Sequence, residues 1–399
     1  MSDSTNNFAQ KPQATNYDII IAGAGCAGLS LLHSILQSPL LSQKSILVLD
    51  KTFEKSNDRT WCFWETHPSV FESLVCKKWE SISIHKNEFT KQLSTHPFEY
   101  KMIQGVDFYN HILQFAKGFS NVHWKEANIH AIEVEEGIGE VHWATGKAKA
   151  QLVFSSILPM ETLYAMSQSS IQVPFLWQHF KGRLIEFSTP LLDANEARLM
   201  DFNVDQKSDT GFMYVLPLTD RQALVEYTLF SPSILNPLEY DKEIDNYLNV
   251  HFPQQQYQVL HEEVGAIPMT MQRFDKTSAP IYVIGTLGNA VKASTGYAFK
   301  FIQNQVAQIV KALESGKAIQ TEVHNTRHQF YDAVLLYILQ NKLMEGSEIF
   351  KLIFEKNKAA TIFKFLSNTS TIWEDIQIMR SLPTRIFLPA AIKVITRRS

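Results

Sequence analysis

The sequence predicts a mixed α/β fold with α+β insertions: a parallel-sheet framework divided between two distant stretches, an antiparallel sheet inserted between them, and a helical C-terminal region. Three observations carry the prediction. The apolar run Tyr17-Asp-Ile-Ile-Ile-Ala22 leads straight into Gly23-Ala24-Gly25-Cys26-Ala27-Gly28 and then into a periodic stretch from Leu29 to Leu36, which reads as strand, tight turn and helix. Phe212-Met-Tyr-Val-Leu-Pro217 and Ala223-Leu-Val-Glu-Tyr-Thr228 are extended runs separated by the turn residues Thr219 and Asp220. A further buried strand, Pro280-Ile-Tyr-Val-Ile-Gly285, precedes a helix with Ile302, Val306, Ile309 and Leu313 at helical spacing and a stop at Ser315-Gly316.

In chain order, residues 1–16 are polar and read as a disordered leader. Ser45-Ile-Leu-Val-Leu-Asp50 is a second buried strand, so the first two strands lie parallel across a βαβ unit. A helix is expected from about Val106 to Phe119, where Ile112, Phe115 and Ala116 share a face. The expected division is a Rossmann-type portion made of residues 17–78 and 265–320, a mixed region with the antiparallel sheet at 79–264, and a helical region at 321–399. From residue 341 onward there are ten Lys plus Arg against five Asp plus Glu, in a segment dense in Phe, Ile and Leu. A basic amphipathic end of this kind suits either a solvated helical subdomain or an anionic lipid surface.

Composition narrows the function. With 399 residues the chain can enclose a large ligand, and a net charge of −3 without a basic stripe excludes nucleic acid as a partner. Three cysteines without a CxxC pair argue against a disulfide framework and fit a reducing cytosol. No run of roughly 18 apolar residues is present to span a bilayer as a helix. The thirteen histidines show no ligand spacing, so no metal is expected.

The GxGxxG at Gly23, Gly25 and Gly28 stands where chemistry requires it, after a strand and opening a helix, with Asp50 closing the next strand. Glycine allows close backbone approach to a pyrophosphate, the helix N-terminus stabilises its charge, and Asp50 can accept from a ribose hydroxyl. Arg59, soon after that strand, is a candidate for phosphate contact. The return of a strand and glycine turn at Gly285 and Gly288, late in the chain, resembles flavoprotein hydroxylases and reductases and favours FAD over NAD.

Further segments carry a narrower resemblance. Leu199-Met-Asp-Phe202, Asp209-Thr-Gly-Phe-Met-Tyr-Val-Leu-Pro-Leu218 and Ala223 to Pro232 are similar to the central signature of bacterial lycopene β-cyclases. Ile267-Pro-Met, Gly285-Thr-Leu-Gly288 and Ser294-Thr-Gly-Tyr-Ala-Phe299 resemble their second signature. Asn57-Asp-Arg-Thr-Trp-Cys-Phe-Trp64, Gln178-His-Phe180 and Ile378-Met-Arg-Ser-Leu-Pro383 add to the likeness, while Phe154-Ser-Ser-Ile157 stands where the family often has Asp-Ser-Arg and Ala293 where proline is common. The resemblance implies cyclisation of the ψ-ends of lycopene to β-ionone rings, with reduced FAD bound at the glycine motifs and at Thr295 and Gly296, and NADPH as external reductant. It also implies a cytoplasmic protein held at the inner face of the membrane, where such a substrate resides.

Such an isomerisation needs an acid, a dry cavity and a base. Glu226 is the candidate acid: alternation puts Leu224, Glu226 and Thr228 on one face of an apolar run, and burial raises a carboxyl pKa. The resemblance implies the same residue. Asp201, between Met200 and Phe202, is a second acid expected to pair with Glu226 or orient it, or else to be a structural carboxylate. Tyr214, Tyr227 and Tyr297 are candidates for cation–π stabilisation. The competing functions are an FAD-dependent monooxygenase or desaturase of a lipid, and a non-catalytic prenyl-lipid carrier.

Overall fold

The computed structural model describes residues 16–157, 160–169, 173–272 and 279–398. The expected leader therefore lies outside the described residues except for Asn16, which opens the first strand. The chain runs through β1 (Asn16–Ala22), α1 (Cys26–Gln37), β2 (Ile46–Asp50), β3 (Thr60–Glu65), β4 (Val75–Trp79), β5 (Ser81–Lys86), β6 (Phe89–Ser94), β7 (Glu99–Gln104), α2 (Gly105–Ala116), β8 (Val122–Glu126), β9 (Ile129–Glu135), β10 (Ile138–Trp143) and β11 (Gly146–Ser155). It continues with α3 (Met160–Ser169), β12 (Phe175–Phe187), β13 (Glu196–Asp201), β14 (Thr210–Pro217), β15 (Gln222–Ser231), α4 (Pro237–His251), β16 (Tyr257–Thr270), β17 (Ile281–Val283), α5 (Phe299–Ser315), α6 (Thr326–Gln340), α7 (Gly346–Lys356), α8 (Ala359–Leu366), α9 (Ile372–Arg380) and α10 (Thr384–Arg398).

The first sheet has the order β8-β2-β1-β11-β10-β9, with β17 on the second half of β11. Strands β8, β2, β1, β11 and β17 are mutually parallel, whereas β9 and β10 add an antiparallel edge. The continuous apolar runs of β1 and β2 follow from that position, because a parallel sheet is covered on both faces. One face packs α1, α2 and α5 through Leu29, Leu32, Ile112, Ile302 and Val306. The α5 stop falls at Gly316, whose φ of 62° is the left-handed conformation glycine accepts at a helix end. Four strands of this sheet, β8 to β11, come from the stretch that the sequence reading assigned to the mixed region, so that stretch supplies strands to all three sheets.

The second sheet, β16-β12-β15-β14-β13-β5-β6, is the inserted antiparallel sheet, closed by a parallel contact between β13 and β5. Period-2 alternation gives it two different faces. Met213, Val215, Val225 and Tyr227 pack on α4, whose start is fixed by an Asn236–Glu239 capping box. Phe212, Tyr214, Leu224 and Phe230 point the other way, into a core shared with α6, α7 and α8. A small third sheet, β3-β7-β4, stands between the two large ones. Its first strand has two uses: Trp61 and Phe63 stack on Phe299 at the start of α5, while Trp64 stacks on Phe363 of α8 and meets Tyr297 edge-on.

Candidate functional site

The glycine-rich turn lies at the C-terminal edge of the parallel strands. A Cβ on Gly28 would sit 1.9 Å from the Gly23 carbonyl oxygen, so only glycine lets α1 start this close to β1. Gly25, the residue before α1, has open space where a side chain would stand, and no side chain caps the helix, leaving its first N–H groups for a ligand. Asp50 ends β2 and accepts the Ala24 N–H at 2.5 Å, with Lys55 Nζ at 3.4 Å. Arg59 is exposed and ion-paired to Asp58, yet its charge is felt by the Cys26 thiol at the head of α1. Gly285 packs on α1, where an added Cβ would approach Ala27 to 2.8 Å, and its N–H donates to Gln305 at 2.7 Å. Gly288 turns the chain back over Val283. The sequence-named glycines and Asp50 thus converge on one edge.

A second group of polar atoms continues from this edge toward the antiparallel sheet. Thr295 Oγ1 and Gln178 Oε1 are buried and have no hydrogen-bond partner within the protein. Gly296, at φ 69°, lies so close to Gln178 that a Cβ would come within 2.1 Å of its Oε1. Buried polar atoms without partners are costly, and a ligand that supplies them is the ordinary explanation. This loop is anchored from behind: the fully buried Lys292 donates to Asp332 at 2.7 Å and to Asn368 at 2.9 Å, and Ser294 donates to Asp332 at 2.6 Å. An open helix terminus, a glycine cradle and orphaned polar atoms fit a dinucleotide carrying a polar ring system.

Glu226 sits on β15, facing the helical core, and is 8% exposed. Its Oε1 accepts the Thr228 hydroxyl at 2.7 Å. The sequence reading missed its other partner, Glu263 on β16, which is 4% exposed and within hydrogen-bonding reach of Glu226. Both carboxyls are paired in register with Gly182 of the strand between them, β12. The missing side chain matters, since a Cβ at Gly182 would lie 3.2 Å from Glu263 Cγ and 3.4 Å from Glu226 Cβ. Burial, and then the neighbouring Glu263 carboxylate, push the Glu226 pKa well above the ordinary glutamate range. Burial also raises that of Glu263, offset by the Thr60 hydroxyl, which donates to it at 2.7 Å. Cys62, Tyr100, Tyr214 and Tyr297 complete the surroundings, with the last two hydroxyls bonded to each other. The arrangement favours the protonated form of Glu226 in a buried, aromatic-lined site.

Two expectations are corrected. Asp201 does not meet Glu226: the Asp201 carboxylate accepts from Tyr247 of α4 at 2.7 Å and from Arg198 at 3.2 Å, on the opposite face of the sheet. A bulge between Arg198 and Asp201 puts both on the α4 side, opposite Leu199 and Met200. Tyr227 also faces α4, as adjacency to Glu226 in a strand dictates, and its hydroxyl donates to the Asp205 carbonyl at 2.6 Å. Tyr214 and Tyr297 remain on the Glu226 side. Among the described residues no group of three or more His, Cys, Asp or Glu side chains could hold a metal ion.

Comparison with known proteins follows the same outline. A family model described as lycopene cyclase protein matches residues 18–391. Lycopene beta-cyclase of Pantoea ananas is 27% identical over 268 residues, covering 64% of this chain and 63% of that protein, so the match spans less than two thirds of the relative. Among solved structures, a geranylgeranyl bacteriochlorophyll reductase-like protein of Thermoplasma acidophilum shares the fold at TM-score 0.54 and 13% identity, over 96% of both chains. A flavoprotein/dehydrogenase of Cytophaga hutchinsonii does so at 0.58 and 10%, over 96% of this chain and 100% of its own. A variant of HpxO from Klebsiella pneumoniae, complexed with FAD, does so at 0.53 and 11%, over 95% and 99%. At these identities the solved structures establish the Rossmann-type α/β fold.

Proposed function

This chain belongs to the lycopene cyclase protein family, and on that premise we propose that it is a lycopene β-cyclase, closing the ψ-ends of lycopene to β-ionone rings without net oxidation or reduction. The observation that carries the reading is a carboxylic acid, Glu226, kept protonated by burial and by a second carboxylate in an apolar site. Glu226 gives its proton to a terminal alkene carbon: its O–H bond breaks, a C–H bond forms, and the resulting cation closes the ring. Loss of one ring proton to a base ends the reaction, so one proton enters, one leaves, and the mass is unchanged. The residues around Glu226 exclude water, which would intercept the cation, and the faces of Tyr214 and Tyr297 lower its energy.

The cofactor in this reading is FAD, held by Gly23, Gly25, Gly28 and the α1 N-terminus at its phosphates, by Asp50 at its ribose, with Arg59 near the phosphates, and by the Gly285, Gly288, Thr295 and Gly296 segment at its ring. Bound there in its reduced form, with NADPH as external reductant, FAD would supply negative charge favourable to the cation, which would give a redox cofactor a place in a redox-neutral step. The test is anaerobic incubation of the protein with FAD, a reductant and lycopene in liposomes. Wild type is expected to give a cyclised product of unchanged mass, and Glu226→Gln to lose roughly 10²–10⁴ of that rate while still binding flavin. A change in mass, or a requirement for oxygen, overturns the reading in favour of an oxidising flavoenzyme.

The substrate places the enzyme at a membrane surface, and one part of the molecule suits it. No helix among the described residues is long and apolar enough to cross a bilayer. On α10, Ile386, Phe387, Ala390 and Val394 pack inward, whereas Leu388, Ile392 and Ile395 are more than half exposed on the outer face, with Arg385 and Lys393 exposed beside them. Trp373 of α9 is 80% exposed. Apolar residues set among cations match an anionic lipid surface. Co-sedimentation with phosphatidylglycerol vesicles is expected for wild type and lost in the Leu388→Asp, Ile392→Asp double variant; equal binding by both would remove α10 from the contact.

A further inference from the structure

We propose that Glu263 is the positioning residue for Glu226, reaching it across Gly182, and that Thr60 and Thr228 fix which oxygen of each carboxyl is left to face the other. The inference rests on the reading of Glu226 as the acid. Three adjacent strands create the arrangement, because Glu226 and Glu263 both register with Gly182 and neither finds a side chain in between. Across two strand spacings, roughly 9.5 Å, two glutamate side chains meet when both lean over the middle strand. Thr228 donates to Glu226 Oε1 and Thr60 donates to Glu263 Oε2, each at 2.7 Å. Each hydroxyl holds one oxygen of its carboxyl, and we assign the second oxygen of each to the contact between them.

Two buried carboxylates at this range do not both ionise, and they share one proton. The proton belongs on Glu226. Glu263 is the member whose charge is supported, by the Thr60 hydroxyl and by the neighbouring His261, while Glu226 receives only Thr228 and is repelled by Glu263. The other titratable groups facing the pair are Cys62, Tyr214 and, more weakly on the Glu263 side, Asp58; of these the Cys62 thiol and Tyr214 hydroxyl are held neutral by burial. None supplies a cation that would discharge Glu226. The pair therefore keeps an acid poised on the reacting side without a metal or a basic residue touching it.

The experiment compares the pH dependence of turnover for wild type, Glu263→Gln and Thr60→Val, alongside the protonated-carboxyl stretch in infrared titration, which needs neither substrate nor flavin. Glu263→Gln keeps the size and hydrogen bonding of the side chain and removes its charge. Its alkaline limb, and the pH at which the Glu226 carboxyl band disappears, are expected to fall by about one unit or more. Thr60→Val leaves both carboxyls and withdraws support from the Glu263 anion, so the shared proton moves toward Glu263 and the same two readouts are expected to fall, by less than in Glu263→Gln. If Glu226→Gln is inactive while both variants titrate as wild type does, Glu263 has no such role and the acid assignment stands. If Glu226→Gln remains active, the acid assignment itself fails.

Discussion

The antiparallel sheet carries a buried acid on each face, and the two are solved in opposite ways. Asp201, 1% exposed, is met by a guanidinium, a phenol and the Asn203 N–H at 3.0 Å, three donors and no second acid. Glu226, 8% exposed, is met by one hydroxyl and another acid, a set that suits a proton. Two carboxyls of similar burial thus keep opposite company. One face of a single sheet ties its acid into a network of donors, and the other sets its acid beside a second carboxyl.

The sharpest way to break this contrast is Asp201→Asn. It strands Arg198 without its counter-charge, and a stability loss of about 3 kcal/mol is expected in denaturant unfolding, with cyclisation by the folded fraction nearly unchanged. An inactive variant of normal stability would instead make Asp201 part of the chemistry. A smaller effect is expected from Gly182→Ala, whose new methyl is forced against Leu224 Cδ1 at 3.0 Å and against both glutamates. Overpacking of this kind costs roughly 1–3 kcal/mol, and the Glu226 carboxyl band should shift as the pair is pushed apart. The smallest effect is on stability against pH. Because the folded state raises the pKa of Glu226, the stability it contributes is complete below the unfolded value of about 4.3 and falls as pH rises toward the folded value. The slope is at most about 1.4 kcal/mol per pH unit for one proton. Glu226→Gln should therefore flatten the thermal stability profile above pH 5, and an unchanged profile would mean that Glu226 is already ionised.

What the sequence discloses follows from how far apart the cooperating residues lie. Gly23, Gly25, Gly28 and Asp50 belong to one local βαβ unit, so their motif and their geometry are the same object. Glu226 is legible because a lone acid in an apolar alternating run has no solvent to face. Glu263 is hidden: Tyr257 to Glu263 is largely polar and mostly exposed, and reads as an ordinary edge strand. Only the sheet order, with β12 inserted between β16 and β15, brings it to Glu226. Asp201 stands in apolar company as Glu226 does, so its sequence leaves pairing with Glu226 and a structural role both open; the bulge between Arg198 and Asp201 turns it to α4. Tyr227 is different, since strict alternation already puts it opposite Glu226. The first sheet shows the same limit at larger scale, as β8 to β11 carry no motif and yet furnish the strands that flank β1 and β2.

The six residues of β3 touch both halves of the site. Trp61 and Phe63 are packed on Phe299 beside the glycine turns, and Thr60 holds Glu263. The dinucleotide cradle and the acid pair consequently do not form separable modules. A chimaera that exchanges the antiparallel sheet between two relatives while leaving residues 57–65 behind would inherit a carboxylate pair without its tether. The natural unit of exchange includes that strand, although it lies outside the sheet, with Thr60 203 residues before the Glu263 that it holds.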